Sequence, residues 1–209
     1  MGLGAALLLA VALPLRAESI TDDFNRANTS QGNGGLGADW NITGEIFLHE
    51  NHAITHYKGE ALAVYAKAKT SGEFSVACDF YALANRNYAG VVFHFIDAKN
   101  YQVLRVSFSE QDDQKTVWQW LKFTGGKMEL TAQGAIPAGN MPVKQWRRLS
   151  LQSDGKPGAY RFKVTDRSGD TQYAAGALQG GDAATGGQCG FYFGNAYQYA
   201  DNFNLESGQ

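Results

Sequence analysis

The chain has 209 residues, with 18 Lys and Arg against 20 Asp and Glu, for a net charge of −2. That balance excludes the basic footprint that nucleic acid or an anionic membrane surface would require. Glycine is abundant at 25 residues, aromatic residues make up 12%, and helix-forming runs are scarce, so the composition leans all-β.

In chain order, the first segment is MGLGAALLLAVALPLRA, residues 1–17. It is an apolar run that ends in small residues, although no Lys or Arg precedes the apolar part. It reads as a secretory signal peptide cut after Ala17. It falls short of the ~20 residues that a membrane span needs. Residues 18–209 are therefore expected as one exported domain, in the periplasm, at the cell surface or outside, with no membrane insertion once the signal is removed.

Next comes TDDFNRAN, and near the other end stands YADNFNLE. Both carry the same acid, acid or amide, Phe, Asn order at residues 22–25 and 201–204. HENHAITH brings His49, His52 and His56 together. It is not a metalloprotease motif, because the second His comes one residue too early and the context is a hairpin. The reading is turn histidines, with His49 and His56 facing each other across Glu50-Asn51.

From here the period is two. GEFSVACDFYA places Phe74, Val76, Cys78 and Phe80 on one face and Ser75, Ala77, Asp79 and Tyr81 on the other. SEQDDQK, with Glu110, Asp112 and Asp113, reads as a solvated hairpin tip. TVWQWLKF places Trp118 and Trp120 on one face and Val117, Gln119, Leu121 and Phe123 on the other. Two rings about 7 Å apart can form a platform for sugar rings. Equally, the pair can be core, and one Trp in each role is the division favoured here. RRLSLQS and RFKVTD alternate in the same way. One wet and one dry face per strand marks antiparallel sheets, and turn signals such as Asp97–Asn100 and Gly125-Gly126 separate the strands. A two-sheet sandwich of one domain follows.

Cys78 lies with Val76 and Phe80, and Cys189 lies with Phe191 and Phe193. In an exported protein such a pair reads as a disulfide, worth about 4 kcal/mol in the chain-entropy account. Two buried thiols are the other reading.

AGVVFHFIDAKNYQVLRVSF, residues 89–108, resembles a hairpin of the concanavalin A-like lectin/glucanase superfamily, including laminin-G-like modules. DDFNRANTSQGNGGLGADW resembles the opening strand and Leu-Gly-x-x-Trp turn of those domains. KQWRRLSLQSDGKPGAYRFKVTD and GGQCGFYFGNAYQYADNFNLE resemble later strand pairs. The resemblance covers roughly residues 20–206 and implies an all-β, two-sheet antiparallel jelly-roll sandwich. It implies that the first and last strands are neighbours, with Phe24 and Phe203 pointing inward. It also implies a structural Ca²⁺ at Asp22, Asp23 and Asp201, since clustered carboxylates suit a hard cation. Beside the Trp pair, the concave sheet of such domains would present His94, Tyr101 and Arg105 as polar anchors for a polysaccharide or other glycan.

The glucanase motif Glu-x-Asp-x-x-Glu is absent. Of the lyase motifs, only a Tyr-rich closing strand has a counterpart, with Tyr197 or Tyr199 as acid/base and His94 as helper. The leading expectation is therefore a non-catalytic carbohydrate-binding, lectin-like domain. The alternatives are a glycan-active hydrolase or lyase with a non-standard site, or a structural cell-surface domain.

Overall fold

A computed structural model describes residues 18–29, 35–56, 58–70, 72–109, 116–137, 139–180 and 186–208. The signal segment 1–17 and the acidic cluster Glu110, Asp112 and Asp113 lie outside the described residues. Within them, every regular element is a β-strand.

Two antiparallel sheets stack on each other. The back sheet runs in the order β13 (Gln172–Gln179), β12 (Ala159–Thr165), β11 (Arg147–Ser153), β6 (Phe74–Ala82), β15 (Gln198–Ser207), β4 (His52–Thr55) and β3 (Phe47–His49). β1 (Glu18–Asp22) also pairs with β15, beyond the short stretch that β4 occupies. The front sheet runs β10 (Lys127–Ile136), β9 (Thr116–Thr124), β8 (Asn100–Phe108), β7 (Asn87–Asp97), β14 (Gln188–Phe193), β5 (Ala61–Tyr65) and β2 (Trp40–Thr43).

The period-two pattern explains which faces meet. Phe74, Val76, Cys78 and Phe80 of β6 join Leu149, Leu151, Phe162 and Val164 in the main core, where they meet Phe93, Leu104, Trp120, Phe191 and Phe193 of the front sheet. Turns fall where the sequence marks them. Glu50 and Asn51 adopt φ of 49° and 64°, and Gly125 and Gly126 adopt 59° and 80°. These left-handed pairs give the tight hairpin twist that joins neighbouring strands.

The chain ends are joined as the resemblance implies. Asp22 stands opposite Phe203 in the β1–β15 ladder. Phe24 and Phe203 are both fully buried, and Trp40 packs against them at 5.7 Å and 4.9 Å between ring centroids. The Asp22 carboxylate anchors this corner. It accepts hydrogen bonds from Trp40 Nε1 at 2.8 Å and from Phe24 N at 2.8 Å, and it pairs with both terminal nitrogens of Arg26.

The three carboxylates expected to hold calcium each have a partner within the protein. Asp22 is occupied by Arg26, Asp23 accepts from Asn25 N, and Asp201 is gripped by Arg167. Among the described residues no group of three His, Cys, Asp or Glu side chains could hold a metal.

The expected Cys78–Cys189 disulfide is not formed; both are buried free thiols. Each sulfur has its own surroundings. Cys78 Sγ faces the Asp201 carbonyl at 3.4 Å, and Cys189 sits against the Thr70 hydroxyl and the His94 backbone. Burial pushes the Cys189 thiol up to about 12 and raises Cys78 as well, which keeps both protonated and unreactive.

In the β3–β4 hairpin, His49 stands opposite His52, and His56 instead packs edge-on against Phe47 at 5.4 Å. His49 and His56 therefore do not face each other, because the two-residue turn pairs His49 with a residue four positions before His56.

Candidate functional site

The outward side of the front sheet is not a plain solvent face. Leu62, Val64, Val92, Tyr101, Val103, Leu121, Phe123 and Tyr192 form a second buried cluster there, separate from the main core. The ladder registers order this face into rows. One row carries Leu130, Leu121, Val103, Val92, Gly190 and Val64 across β10, β9, β8, β7, β14 and β5. The next carries Gln133, Gln119, Arg105, Gly90, Tyr192 and Leu62. An apolar row and a polar row thus lie side by side, two residues apart along each strand except β10, where a bulge makes it three.

Arg105 is the centre of the polar row. Its Nε donates to Gln119 Oε1 at 3.0 Å, and its Nη1 donates to the Tyr192 hydroxyl at 3.1 Å. Tyr192 in turn donates to Glu60 Oε1 at 2.7 Å, and Gln119 Nε2 donates to Gln133 Oε1 at 3.3 Å. The guanidinium carbon lies 4.2 Å above the Tyr88 ring, a cation–π contact. Gly90 makes room for this arrangement, since a Cβ there would lie 2.9 Å from Arg105 Cβ and collide with the Leu104 carbonyl. Arg105, Gln119 and Tyr88 are half-buried, while Glu60 and Gln133 are exposed. The strip is therefore held rigidly from beneath and open from above.

Electrostatics keeps the strip in one protonation state. Burial first, then the hydrogen bond and charge of Glu60, push the Tyr192 phenol well above its ordinary value, with Arg105 opposing. Burial also pushes Tyr101 up to about 12. Both are neutral phenols at physiological pH, so neither supplies a base. The fixed groups are a guanidinium, a carboxylate, two amides and a phenol, which together present donors and acceptors in one line.

Two of the five residues assigned to ligand binding lie on this face. Arg105 is the hub. Tyr101 stacks on Phe123 with centroids 4.3 Å apart and planes 9° apart, and it is mostly buried. The other three turn inward. Trp120 is fully buried, and its Nε1 donates to Gln102 Oε1 at 2.9 Å. Trp118 packs on Phe162 of the back sheet at 4.9 Å. The Trp platform is thus replaced by a core role for both rings, because the β9 face carrying Gln119, Leu121 and Phe123 is the one that turns outward.

His94 is inverted by backbone geometry. Strict alternation would place it opposite to Phe93, but the β7–β8 register shifts after Phe93 and His94 adopts φ of 50°. Such a bulge turns both side chains to one side. The His94 ring meets the Tyr160 hydroxyl at 2.6 Å and the Gly186 carbonyl at 3.2 Å, which links the two sheets inside the molecule. Burial lowers the His94 pKa, opposed by the Gly186 carbonyl.

Tyr199 lies on the back sheet, and Tyr197 is half-exposed beside His56. Neither meets His94, so the lyase arrangement of those residues does not exist. Sequence reading missed Tyr88, Tyr192 and Glu60. The alternation of Cys189, Phe191 and Phe193 already places Tyr192 on the opposite face. Nothing local marks Glu60, which reaches Tyr192 from the start of another strand.

No protein-family model matches the chain, and no curated protein matches it. Solved structures do match. The carbohydrate-binding module CBM66 from Bacillus subtilis superposes with a TM-score of 0.63 at 18% identity, covering 81% of this chain and 96% of that one. The CBM2 module of the evolved Dit of Lactobacillus casei BL23 phage J-1 gives 0.59 at 8% identity, covering 93% and 97%. The basic winged bean lectin bound to Tn-antigen gives 0.54 at 10% identity, covering 91% and 98%. Together with the two antiparallel sheets, these matches establish a concanavalin A-like jelly-roll fold.

Proposed function

We propose that this protein is an exported, lectin-like carbohydrate-binding domain, and that a polysaccharide lies along the Arg105 row on the outer face of the front sheet. Fold alone hosts many functions, so the argument rests on the site. The observation that carries it is the half-exposed Arg105 guanidinium, laid on Tyr88 and clamped by Gln119 and Tyr192. A planar, pre-ordered fork of this kind suits bidentate hydrogen bonding to vicinal hydroxyls and loses little entropy on binding. Glu60 and Gln133 add an acceptor and an amide at either end of the row. The parallel row ends in Leu130, with Met128 at the end of the row beyond it; they are 44% and 56% exposed and offer apolar surface to the carbon face of a sugar.

Binding fits this row better than hydrolysis does. Glycosidases commonly flank the scissile bond with two carboxyl groups, and the hydrogen-bonded row contains Glu60 alone. The test is retardation of the protein in native gels cast with soluble polysaccharides, compared with Arg105→Met. Loss of retardation with an unchanged melting curve supports the reading. Equal retardation of the variant refutes it, and release of reducing ends or unsaturated products from any substrate would replace it with an enzyme.

A further inference from the structure

Most arginines of the molecule have their charge answered. Arg148 and Arg167 pair with Asp79, Arg26 pairs with Asp22, and Arg161 pairs with Asp154. Buried Arg147 spends all three of its nitrogens on the Asn140 and Trp146 carbonyls and on Gln145 Oε1. Arg105 differs. No carboxylate among the described residues lies within ion-pair distance of it, and its two hydrogen bonds go to the neutral Gln119 and Tyr192.

A guanidinium has five N–H groups, and these two bonds leave Nη2 and one N–H of Nη1 without a partner among the described residues. One free donor on each terminal nitrogen is what a carboxylate takes in a bidentate pair. The surroundings strengthen the demand for a counter-charge. Tyr88 covers one face of the group, and the buried cluster of Val92, Val103 and Leu121 lies beside it, so water screens the charge less than at an open surface. Glu60 is the acid of this row, and it touches Tyr192, not Arg105. It is exposed, so its own charge is screened by water.

The occupant follows from the two rows together. Arg105 supplies one fixed positive charge, and the apolar row runs two residues along the strand, roughly 7 Å away. A uronic acid residue unites the matching parts, an apolar ring face and a planar carboxylate on the ring. We infer that the Arg105 row selects acidic polysaccharides, and that a uronate carboxylate of the ligand pairs with the two terminal nitrogens of Arg105. This rests on the glycan-binding reading and narrows its ligand. The net charge of −2 removes a simpler route to the same preference, since diffuse attraction does not hold a polyanion on this protein.

The experiment uses the whole chain in native gels containing alginate, polygalacturonate or hyaluronan. Each polymer is run beside its carboxyl-reduced form, in which the linkages stay and every uronate becomes a neutral sugar. Dextran sulfate and oat β-glucan complete the panel. A uronate polymer is expected to retard the wild type about tenfold more strongly than its reduced form does. That comparison is made in the wild type and needs no variant to fold. Arg105→Met, checked by thermal melting, should bind the two forms alike. Glu60→Gln should be retarded more strongly than the wild type, because it removes a negative charge near the ligand and keeps the acceptor. If a reduced form or β-glucan retards the wild type as strongly as the uronate polymers, with the effect lost in Arg105→Met, this inference falls and the Arg105 reading stands. Stronger retardation by dextran sulfate than by any uronate polymer, also lost in Arg105→Met, assigns the charge to a sulfate and overturns the carboxylate. Uronate retardation that Arg105→Met leaves unchanged overturns both readings, as does no retardation by any polymer.

Discussion

The two outer faces of the sandwich each hold an arginine-centred cluster, yet they treat their carboxylates oppositely. On the back sheet, Asp79 and Asp201 are buried beneath Arg148 and Arg167. On the front sheet, the carboxylate is exposed Glu60, and it is the aromatic residues that are buried below Arg105. A buried carboxylate that loses its partner is left stranded in a poor solvent, whereas an exposed one returns to water. The back cluster is therefore part of what holds the sheet together, and the front cluster is free to spend its hydrogen bonds on a ligand.

The largest expected effect tests that contrast directly. Asp79→Ala should cost about 3–5 kcal/mol in urea unfolding, because Arg148, Arg167 and Asn202 all lose their acceptor. Glu60→Gln should cost under about 1 kcal/mol, as befits an exposed group. Equal costs would erase the distinction between the faces.

A second effect comes from the link between the sheets. The pKa of His94 is lowered in the folded protein from an ordinary 6.5, so the unfolded chain binds its proton first. Stability from this group is complete above pH 6.5 and is lost as pH falls toward the folded value, with a slope of at most about 1.4 kcal/mol per pH unit. His94→Asn should flatten that slope in urea melts between pH 7 and pH 5. A slope that persists unchanged assigns the pH dependence elsewhere.

Arg105→Met should weaken glycan binding by about tenfold, equivalent to about 1.4 kcal/mol, while changing stability by less than that. If instead it unfolds the domain, the front cluster is as structural as the back one. The smallest effect is a reductant. With Cys78 and Cys189 as free thiols, dithiothreitol should leave the melting temperature where it is, and a fall of several degrees would restore the bridge.

Much of this architecture is legible in the residues. Alternation identifies the inner faces of β6, β11 and β12, and the family resemblance anticipates β1 beside β15. The parity of β9 is also readable, since Gln119, Leu121 and Phe123 share one side and Trp118 and Trp120 the other, but which side turns outward is not. His94 is different. A single bulge moved it from the surface to the interior, and no local signal in VFHFI announces a residue with φ of 50°. On the outer side of the back sheet, where His52, Trp146, Tyr81 and Tyr199 pack ring to ring, the arrangement is half legible. Alternation sets Tyr81 on the outward face with Asp79, but His52, Trp146 and Tyr199 come from three other parts of the chain.

What the sequence by itself determined is periodicity: which residues share a side of each strand, where the chain turns, and that two layers must bury their apolar sides. That information is local, because side-chain direction in a strand depends only on parity. Only the tertiary structure decided which parity faces the other sheet, where ladders slip, and which distant side chains meet. The partners of Arg105 and Asp79 lie on other strands, and strand order and register are set by the packing of the whole sandwich, not by any one segment.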